Sequence, residues 1–233
     1  MKKFTLILSL ILGLGIFLSF STPAQQTIRD AVPSLQYFDA VHVGSAINVV
    51  ISDAYRNVEI ECTPEMRRRL DIDVVNGVLN MGLRPGTHIR ASRITVYLPM
   101  RAYRHIKAMS ASKVNILNPV TTENIIFDLS SAAKITGSVN AAEVQIFANT
   151  ASKITLSGTA NVARIEATTS SGAVCRNLRS RRAVCNSTTA ARVSVYASES
   201  FEGDAASASR IDCYGNPVQR QTRASSAGKI NFR

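Results

Sequence analysis

The sequence predicts an all-β fold, a right-handed parallel β-helix (a β-solenoid) with about 19–20 residues per turn. The main observation is a phrase of small residues, usually one Lys or Arg, and an apolar–polar–apolar triplet, which recurs seven times between residues 109 and 232. The chain also has no Trp and only 6% aromatic residues, which favours thin stacked strands over a bulky core. The anchor residues of the phrase, spaced 18 to 21 residues apart, are Lys113, Lys134, Lys153, Ala173, Arg192, Arg210 and Lys229.

Each period is predicted to hold two short strands joined by turn residues. Around one corner, residues 144–146 and 154–156 both alternate apolar and polar side chains. Such strands bury their apolar faces only when stacked on neighbours about 4.8 Å away, and parallel crossovers are nearly always right-handed. Calcium-binding and leucine-rich repeats are excluded because their Gly-Gly-x-Gly-x-Asp and spaced Leu patterns are absent. The glycines expected in the turns are Gly137, Gly158, Gly203 and Gly215.

Residues 36–105 are predicted to begin the same body and to cap one end with strands and hairpins, ahead of the regular repeats of residues 106–233. Thr63-Pro64-Glu65 predicts the start of a short helix, and Asn76-Gly77 predicts a hairpin. The last turn has no comparable cap, and an uncovered strand edge invites pairing. Either a partner or a second copy covers this turn, or its basic side chains keep it solvated; these are Arg223, Lys229 and Arg233.

The first residues predict an exported protein. Residues 1–24 combine two lysines, an apolar run and small residues ending in Ala24, which is typical of a cleaved signal peptide; a retained membrane anchor is the alternative. Residues 25–35 are expected to be a flexible leader and residues 36–233 a single domain. Without Lys2 and Lys3, 25 basic residues face 16 acidic ones. No second run is long enough to span a membrane, so we expect a periplasmic, outer-surface or secreted protein that is not integral to a membrane.

The four cysteines are predicted to be buried thiols rather than a disulfide framework, because their spacing is not dense. A bridge between Cys175 and Cys185 is the alternative, since an exported protein meets oxidising conditions. The three histidines, His42, His88 and His105, lie in different segments. We therefore expect no metal site and no cofactor.

The order of several segments resembles a known family. Phe38-Asp-Ala-Val-His-Val43 is followed by residues 44–51, then by Val74-Val-Asn-Gly-Val-Leu-Asn-Met81 and Ile94-Thr-Val-Tyr-Leu-Pro99, and then by small-residue turns from Ser110 onward. Behind a signal peptide, this order is similar to the putative auto-transporter adhesin "head GIN domain" family over residues 36–233. The resemblance implies a β-helical surface protein. It implies no catalytic residue.

The recurring cations form the candidate ligand site. Each one precedes an inward apolar residue, so all should point outward from one corner, in a column broken only at Ala173. One interpretation is a solvated edge, because repulsion between stacked neighbours costs only about 1 kcal/mol per pair in water. The other is a groove for an anionic polymer, such as a charged polysaccharide or lipopolysaccharide. The members of this basic column are Lys113, Lys134, Lys153, Arg192, Arg210 and Lys229.

Other functions have weaker support in the sequence. A second basic cluster is expected to be a solvated loop, and nucleic acid is excluded as a partner because no aromatic residues are interleaved with the cations. A polysaccharide-modifying enzyme would need clustered acids, but Glu123, Glu143, Glu166 and Asp212 are scattered. The first hypothesis is thus a non-catalytic adhesin-like module of the cell envelope. The alternatives are a β-helix enzyme and a scaffold that self-associates through the C-terminal turn. The second basic cluster comprises Arg176, Arg179, Arg181 and Arg182.

Overall fold

The computed structural model describes residues 27–32, 35–87 and 93–233. The predicted signal peptide, residues 1–24, and His88 lie outside the described residues. Within these ranges, one short helix, α1 (Pro64–Arg69), accompanies seventeen strands. The strands are β1 (Ile28–Ala31), β2 (Ala40–Val43), β3 (Asn48–Ser52), β4 (Glu59–Cys62), β5 (Leu70–Val75), β6 (Val78–Leu83), β7 (Thr95–Pro99), β8 (His105–Ala108), β9 (Lys113–Ile116), β10 (Val120–Leu129), β11 (Lys134–Ala148), β12 (Lys153–Ala167), β13 (Gly172–Ser187), β14 (Arg192–Ala205), β15 (Arg210–Tyr214), β16 (Gln219–Ala224) and β17 (Lys229–Phe232).

The regular part is a stack of parallel turns, which confirms the β-solenoid. Strands β10 to β14 pair in parallel with their successors along the chain. The two short strands predicted in each period are merged, so that β11 and β12 are each fifteen residues long and bend along their length. All the strands belong to one continuous hydrogen-bonded sheet. The part of it that holds the start of each long strand is here called the corner sheet, and the part that holds the end of each long strand is called the broad sheet.

Three of the expected turn glycines lie inside the long strands instead: Gly137 in β11, Gly158 in β12 and Gly203 in β14. Gly158 has a positive φ, 113°, so it does turn the chain within its strand. A Cβ atom at Gly137 would lie 2.5 Å from the Cβ of Ile116, and one at Gly203 would lie 2.6 Å from the ring of Phe201. Gly137 and Gly203 are therefore needed for close packing inside the stack rather than for turning the chain.

The small residues of the phrase form tight corners with an unusual backbone. In eight corners two consecutive non-glycine residues have positive φ; at Thr150 and Ala151, for example, φ is 49° and 58°. The Ser152 N–H donates to the Asn149 carbonyl across this corner, at 3.3 Å. The Ala151 N–H donates to the Thr169 carbonyl of the next turn, at 3.0 Å. Hydrogen bonds between corners thus offset the cost of the left-handed conformation, about 1 kcal/mol per residue.

The residue after the positive-φ pair points into the core in seven of the eight corners; in the last corner it is Gly228. Where it is Ser, its hydroxyl donates to a carbonyl of the preceding turn, as Ser171 does to Ala148 at 2.8 Å and Ser209 to Ser187 at 2.6 Å. The core itself is a set of apolar columns from consecutive turns, such as Ile135, Ile154, Ala173, Val193 and Ile211. All four cysteines are free and buried in this core, as expected.

Strands and hairpins cap the N-terminal end, as predicted, but the chain does not wind there in sequence order. Strands β2 and β3 lie between the pair β6 and β7 on one side and the pair β8 and β9 on the other. Beyond β6 the broad sheet ends with antiparallel β5, and beyond β7 the corner sheet ends with antiparallel β4 and then β1. The short helix begins where expected, and the hydroxyl of Thr63 accepts the Met66 N–H.

Residues 28–31 differ from the flexible leader expected over residues 25–35, because they form β1. This edge strand pairs through its backbone with β4. Arg29 also forms an ion pair with Glu59, at 2.7 Å, and the Val32 N–H donates to the Val58 carbonyl. Most of β1 is exposed, so it contributes little apolar burial that alternation in the sequence could reveal.

At the other end, β16 and β17 are the last of the described strands, and an arginine covers part of the core. The guanidinium carbon of Arg220 lies 4.2 Å from the ring centroid of Phe232, whose ring packs edge-to-face on Phe201. Arg220 also donates to Asn216 and to the Pro217 carbonyl. A single side chain thus shields the last apolar layer, while Ile230 and Phe232 remain half-exposed.

Candidate functional site

The structure places the six cations of the basic column at one register position of the corner sheet. Lys113 lies opposite Lys134, which lies opposite Lys153, and Arg192 lies opposite Arg210, which lies opposite Lys229. All six side chains are exposed. In the described part of the chain, none of them is within ion-pair distance of a carboxylate. The column is therefore an uncompensated line of positive charge.

The break in the column is at Gly172, not at Ala173 as the sequence phrase predicted. Gly172 lies opposite Lys153 on one side and Arg192 on the other. Ala173 is fully buried in the adjacent core column, opposite Ile154. The error was one residue, because a run of similar small residues does not reveal which two of them take the positive φ values. The column is thus two runs of three cations separated by one glycine.

Polar side chains flank the basic column on both sides. On the strand side, the next outward position is mostly polar and includes Asn115, Thr136 and Thr155. On the corner side, the first of the two positive-φ residues in every corner carries a hydroxyl group. These residues are Ser45, Ser110, Ser131, Thr150, Thr169, Thr189, Ser207 and Ser226. Hydrogen-bonding groups therefore run parallel to the cations along the whole edge.

The second basic cluster is partly neutralised. Arg181 forms an ion pair with Glu199, at 2.6 Å, and the guanidinium of Arg179 lies over the ring of Tyr196, at 4.3 Å. Arg176 and Arg182 are exposed. The cluster lies along β13, where two register shifts interrupt the pairing with β14, and not in the solvated loop that was expected. It forms no line of equivalent positions.

A groove lies on the broad sheet, away from the basic column. It has a volume of about 490 Å³. Its lining includes Arg164, Arg182, Glu202, Gln219 and Gln221. Arg164 is paired with Glu143 at 2.8 Å, so the groove carries mixed charge. Sequence reasoning missed it, because the outward residues that meet here come from four different turns.

Two histidines that are far apart in the sequence are neighbours in the structure. The rings of His42 and His105 are 5.1 Å apart, edge to face. Burial lowers the pKa of both, and the charge of His105 lowers the pKa of His42 further. Their Nε2 atoms have no hydrogen-bond partner among the described residues. No group of His, Cys, Asp and Glu within these residues could hold a metal ion, so the pair is not completed as a metal site.

The carboxylates on the broad sheet are arranged more regularly than their scatter in the sequence suggested. Asp128, Glu166 and Asp204 share one outward column at every second turn, with Phe147 and Asn186 between them. Glu143 is separate from this column, and its ion pair with Arg164 lowers its pKa. Acids two turns apart are separated by about 9.6 Å along the sheet. Lys107 forms an ion pair with Asp128 at 2.9 Å, which neutralises the carboxylate at one end of this column.

A family model described as "Putative auto-transporter adhesin, head GIN domain" matches residues 37–217. A search of the curated proteins finds no match. Among solved structures, a putative adhesin from Bacteroides fragilis NCTC 9343 is similar with a TM-score of 0.81 and 17% identity, covering 91% of this chain and 99% of the other. A putative adhesin from Parabacteroides merdae ATCC 43184 is similar with a TM-score of 0.66 and 15% identity, over 89% and 95%.

A third structure carries a different description. A putative lipid binding protein from Parabacteroides distasonis ATCC 8503 has a TM-score of 0.67 and 14% identity, over 89% of this chain and 96% of the other. At these identities the three structures establish the shared fold alone. Within the residues described, no helix is both long enough and apolar enough to cross a bilayer.

Proposed function

Because the chain belongs to the putative auto-transporter adhesin, head GIN domain family, we propose that it is a non-catalytic, exported binding module of the cell envelope that holds an anionic glycan along the basic column. The family description supports an exported or surface-associated protein of adhesin type. The glycan, its position on the column and the absence of catalysis are the parts proposed here.

The observation that carries the proposal is the repetition of one exposed cation at the same position of successive turns. Strand pairing sets these cations about 4.8 Å apart, and a polymer with regularly spaced negative charges can follow such a line. A compact anion would contact only one or two of them. The line therefore fits an extended acidic polymer better than a small molecule.

The flanking hydroxyl and amide groups favour a sugar polymer over another kind of polyanion. Sugar hydroxyls both donate and accept hydrogen bonds, as do the Ser and Thr side chains beside the column. Phosphates accept but do not donate when fully ionised. A strip with cations along its middle and hydroxyls on both sides thus matches a chain of carboxylated sugars.

Two other ligands or activities can be separated from this one by experiment. Lipopolysaccharide also carries anionic sugars, and one structural neighbour is described as a lipid binding protein. The large exposed apolar residues of the described chain include Leu117, Phe147 and Val218, which lie after β9, in β11 and before β16. An enzyme acting on acidic polysaccharide would instead use the carboxylates of the broad sheet.

The test is to reverse three charges at once, Lys134→Glu, Lys153→Glu and Arg192→Glu, and to measure binding of polygalacturonate by calorimetry at low and high salt. Three exposed ionic contacts of about 0.5–1 kcal/mol each correspond to a loss of about 10- to 100-fold in affinity. Wild-type binding should weaken as salt rises. Dextran, a neutral polymer, should not bind to either protein.

The matched control reverses three adjacent arginines of α1 instead, Arg67→Glu, Arg68→Glu and Arg69→Glu, for the same change in net charge. This control should bind polygalacturonate as the wild type does. Equal binding by the column variant and the wild type would rule out the basic column as the site. Binding of lipopolysaccharide but not of polygalacturonate would identify a headgroup ligand, and new reducing ends in the polymer would reveal catalysis.

A further inference from the structure

The strands near the two ends of the solenoid carry opposite charge. The last turn, residues 215–233, contains four basic residues and no Asp or Glu. At the other end, β4 and β5 each carry two carboxylates. The cations are Arg220, Arg223, Lys229 and Arg233, and the carboxylates are Glu59, Glu61, Asp71 and Asp73.

Both ends also present strands with one unpaired edge. Among the described strands, β16 pairs only with β14 and β17 only with β15. At the opposite end, β5 pairs only with β6. Each such edge is a row of backbone N–H and C=O groups that can accept another strand.

The edge strands at the two ends are equal in length and run in directions that allow antiparallel pairing. In the broad sheet, β16 and β5 are both six residues long, and in the corner sheet β17 and β4 are both four residues long. Strands β4 and β5 run antiparallel to β7 and β6, which are parallel to the rest of the stack. If the C-terminal end of one copy docks on the N-terminal end of another, β16 can therefore pair with β5 and β17 with β4, both in antiparallel ladders.

The strand β1 occupies the edge of β4 that this contact would use. Arg29 of β1 pairs with Glu59 at 2.7 Å, and its guanidinium lies 4.1 Å from the ring centroid of Tyr97. The strand has four residues, and only Ile28 is partly buried. It thus supplies one cation to the acidic edge through a small contact that is easy to displace.

Charge decides which edges can meet. Two C-terminal turns placed against each other would bring cations against cations, of which only Arg233 has a carboxylate partner among the described residues, Asp212 at 3.2 Å. In contrast, the outward side chain Arg223 of β16 would face the outward Asp71 and Asp73 of β5. Arg223 has no carboxylate within ion-pair distance among the described residues. Arg67, Arg68 and Arg69 of α1, which lies between β4 and β5 in the sequence, offset part of the negative charge at this end.

We propose that copies of this chain associate head to tail, with β16 and β17 of one copy docking on β5 and β4 of the next and displacing β1. The half-exposed Ile230 and Phe232 of one copy then continue the apolar core toward Ile72 and Val74 of the other, which are also half-exposed. This contact is heterologous and leaves the same two edges free at the ends, so it generates an open series of oligomers rather than a closed dimer. It is independent of glycan binding.

The test is sedimentation velocity over a concentration series with two charge-reversed variants, Arg223→Glu and Asp73→Arg, without any polysaccharide. As the concentration rises, the wild type should form dimers and then successively larger oligomers. Each variant alone should associate at least about tenfold more weakly. A mixture of the two variants should recover association, because the carboxylate introduced in one then meets the guanidinium introduced in the other. The control Arg176→Glu makes the same charge change as Arg223→Glu but away from both ends, and it should behave as the wild type does. Arg29→Ala should strengthen association about two- to fivefold by loosening β1.

A wild type that stays a monomer over the whole series would overturn the proposal. Association by Asp73→Arg equal to that of the wild type would show that β5 takes no part. Failure of the mixture to recover association, with both variants folded by circular dichroism, would also refute the head-to-tail contact. An unchanged affinity in Arg29→Ala would refute the displacement of β1.

Discussion

The glycine that interrupts the basic column offers a direct test of how stacked charge affects this protein. Gly172 lies between Lys153 and Arg192, and a Cβ atom there would meet nothing closer than the Cγ of Lys153, at 4.0 Å. Its φ is not positive, so an ordinary side chain fits the backbone. Gly172→Lys would therefore join two runs of three cations into one run of seven.

The expected cost follows from the spacing of the strands. Two unit charges about 4.8 Å apart in water repel by about 0.9 kcal/mol, and a lysine at position 172 gains two such neighbours. The unscreened total is about 1.7 kcal/mol, and screening at about 0.15 M salt reduces it to about 1 kcal/mol. A change from glycine also removes backbone entropy from the unfolded chain, which stabilises the fold. The matched reference is thus Gly172→Gln, which shares that gain and lacks the charge.

Urea unfolding of Gly172→Lys and Gly172→Gln separates the charge from the backbone effect. At about 0.15 M salt, the free energy of unfolding should be about 1 kcal/mol lower for Lys than for Gln, and the difference should nearly vanish at about 1 M salt. The same added cation should tighten binding of polygalacturonate about two- to fivefold, since one exposed ionic contact is worth about 0.5–1 kcal/mol. Equal stability of the two variants at low salt would show that the cations are too far apart to interact, and the reasoning would be wrong.

Two further predictions concern buried groups. Burial raises the pKa of Cys175 to about 12 and of Cys213 to about 11, so all four thiols should resist a thiol reagent in the folded protein and all four should react in urea. Two reactive thiols in urea would indicate a disulfide. Because burial lowers the pKa of His42 and His105, the unfolded chain binds more protons as pH falls below about 6.5, and the free energy of unfolding should decrease there. In His105→Gln this acid loss should be smaller; an equal loss measured by urea unfolding from pH 7 to pH 5 would contradict the argument.

The sequence was sufficient to predict the stacked part of the fold because every turn repeats the same requirement. Each turn must bury apolar residues such as Ile154 and Ile211 against equivalent neighbours, so the period in the sequence equals the period in space. The hairpin at Asn76-Gly77 and the helix at Thr63 were also predicted, because their signals are local. In these elements the local pattern and the overall fold require the same residues.

The parts that could not be predicted depend on contacts without a repeat. The insertion of β2 between β6 and β8 joins residues far apart in the chain, and no periodic pattern marks it. The neighbouring rings of His42 and His105 are a consequence of that insertion. The break in the column was misplaced by one residue: the phrase predicted the anchor at Ala173, but Thr169 and Ser170 take the positive φ values, which puts Gly172 at the column position.

The position of the basic column can now be separated from its charge. The corner geometry turns the third small residue inward, as at Ser152 and Ser171, so the following residue must point outward. This explains exposure but not the choice of cations. The first turns carry the neutral residues Asn48 and Thr95 at the same register position as Lys113.

The fold therefore accepts uncharged residues at this position, and Gly172 shows the same in the middle of the stack. Four adjacent pairs of cations nevertheless remain, each with a repulsion of about 0.9 kcal/mol in water. If the column binds an acidic polymer, as proposed, a feature that the fold does not require and that opposes its stability has a function. An acidic polymer along the column would remove this repulsion, so ligand binding and the stability of the stack should increase together.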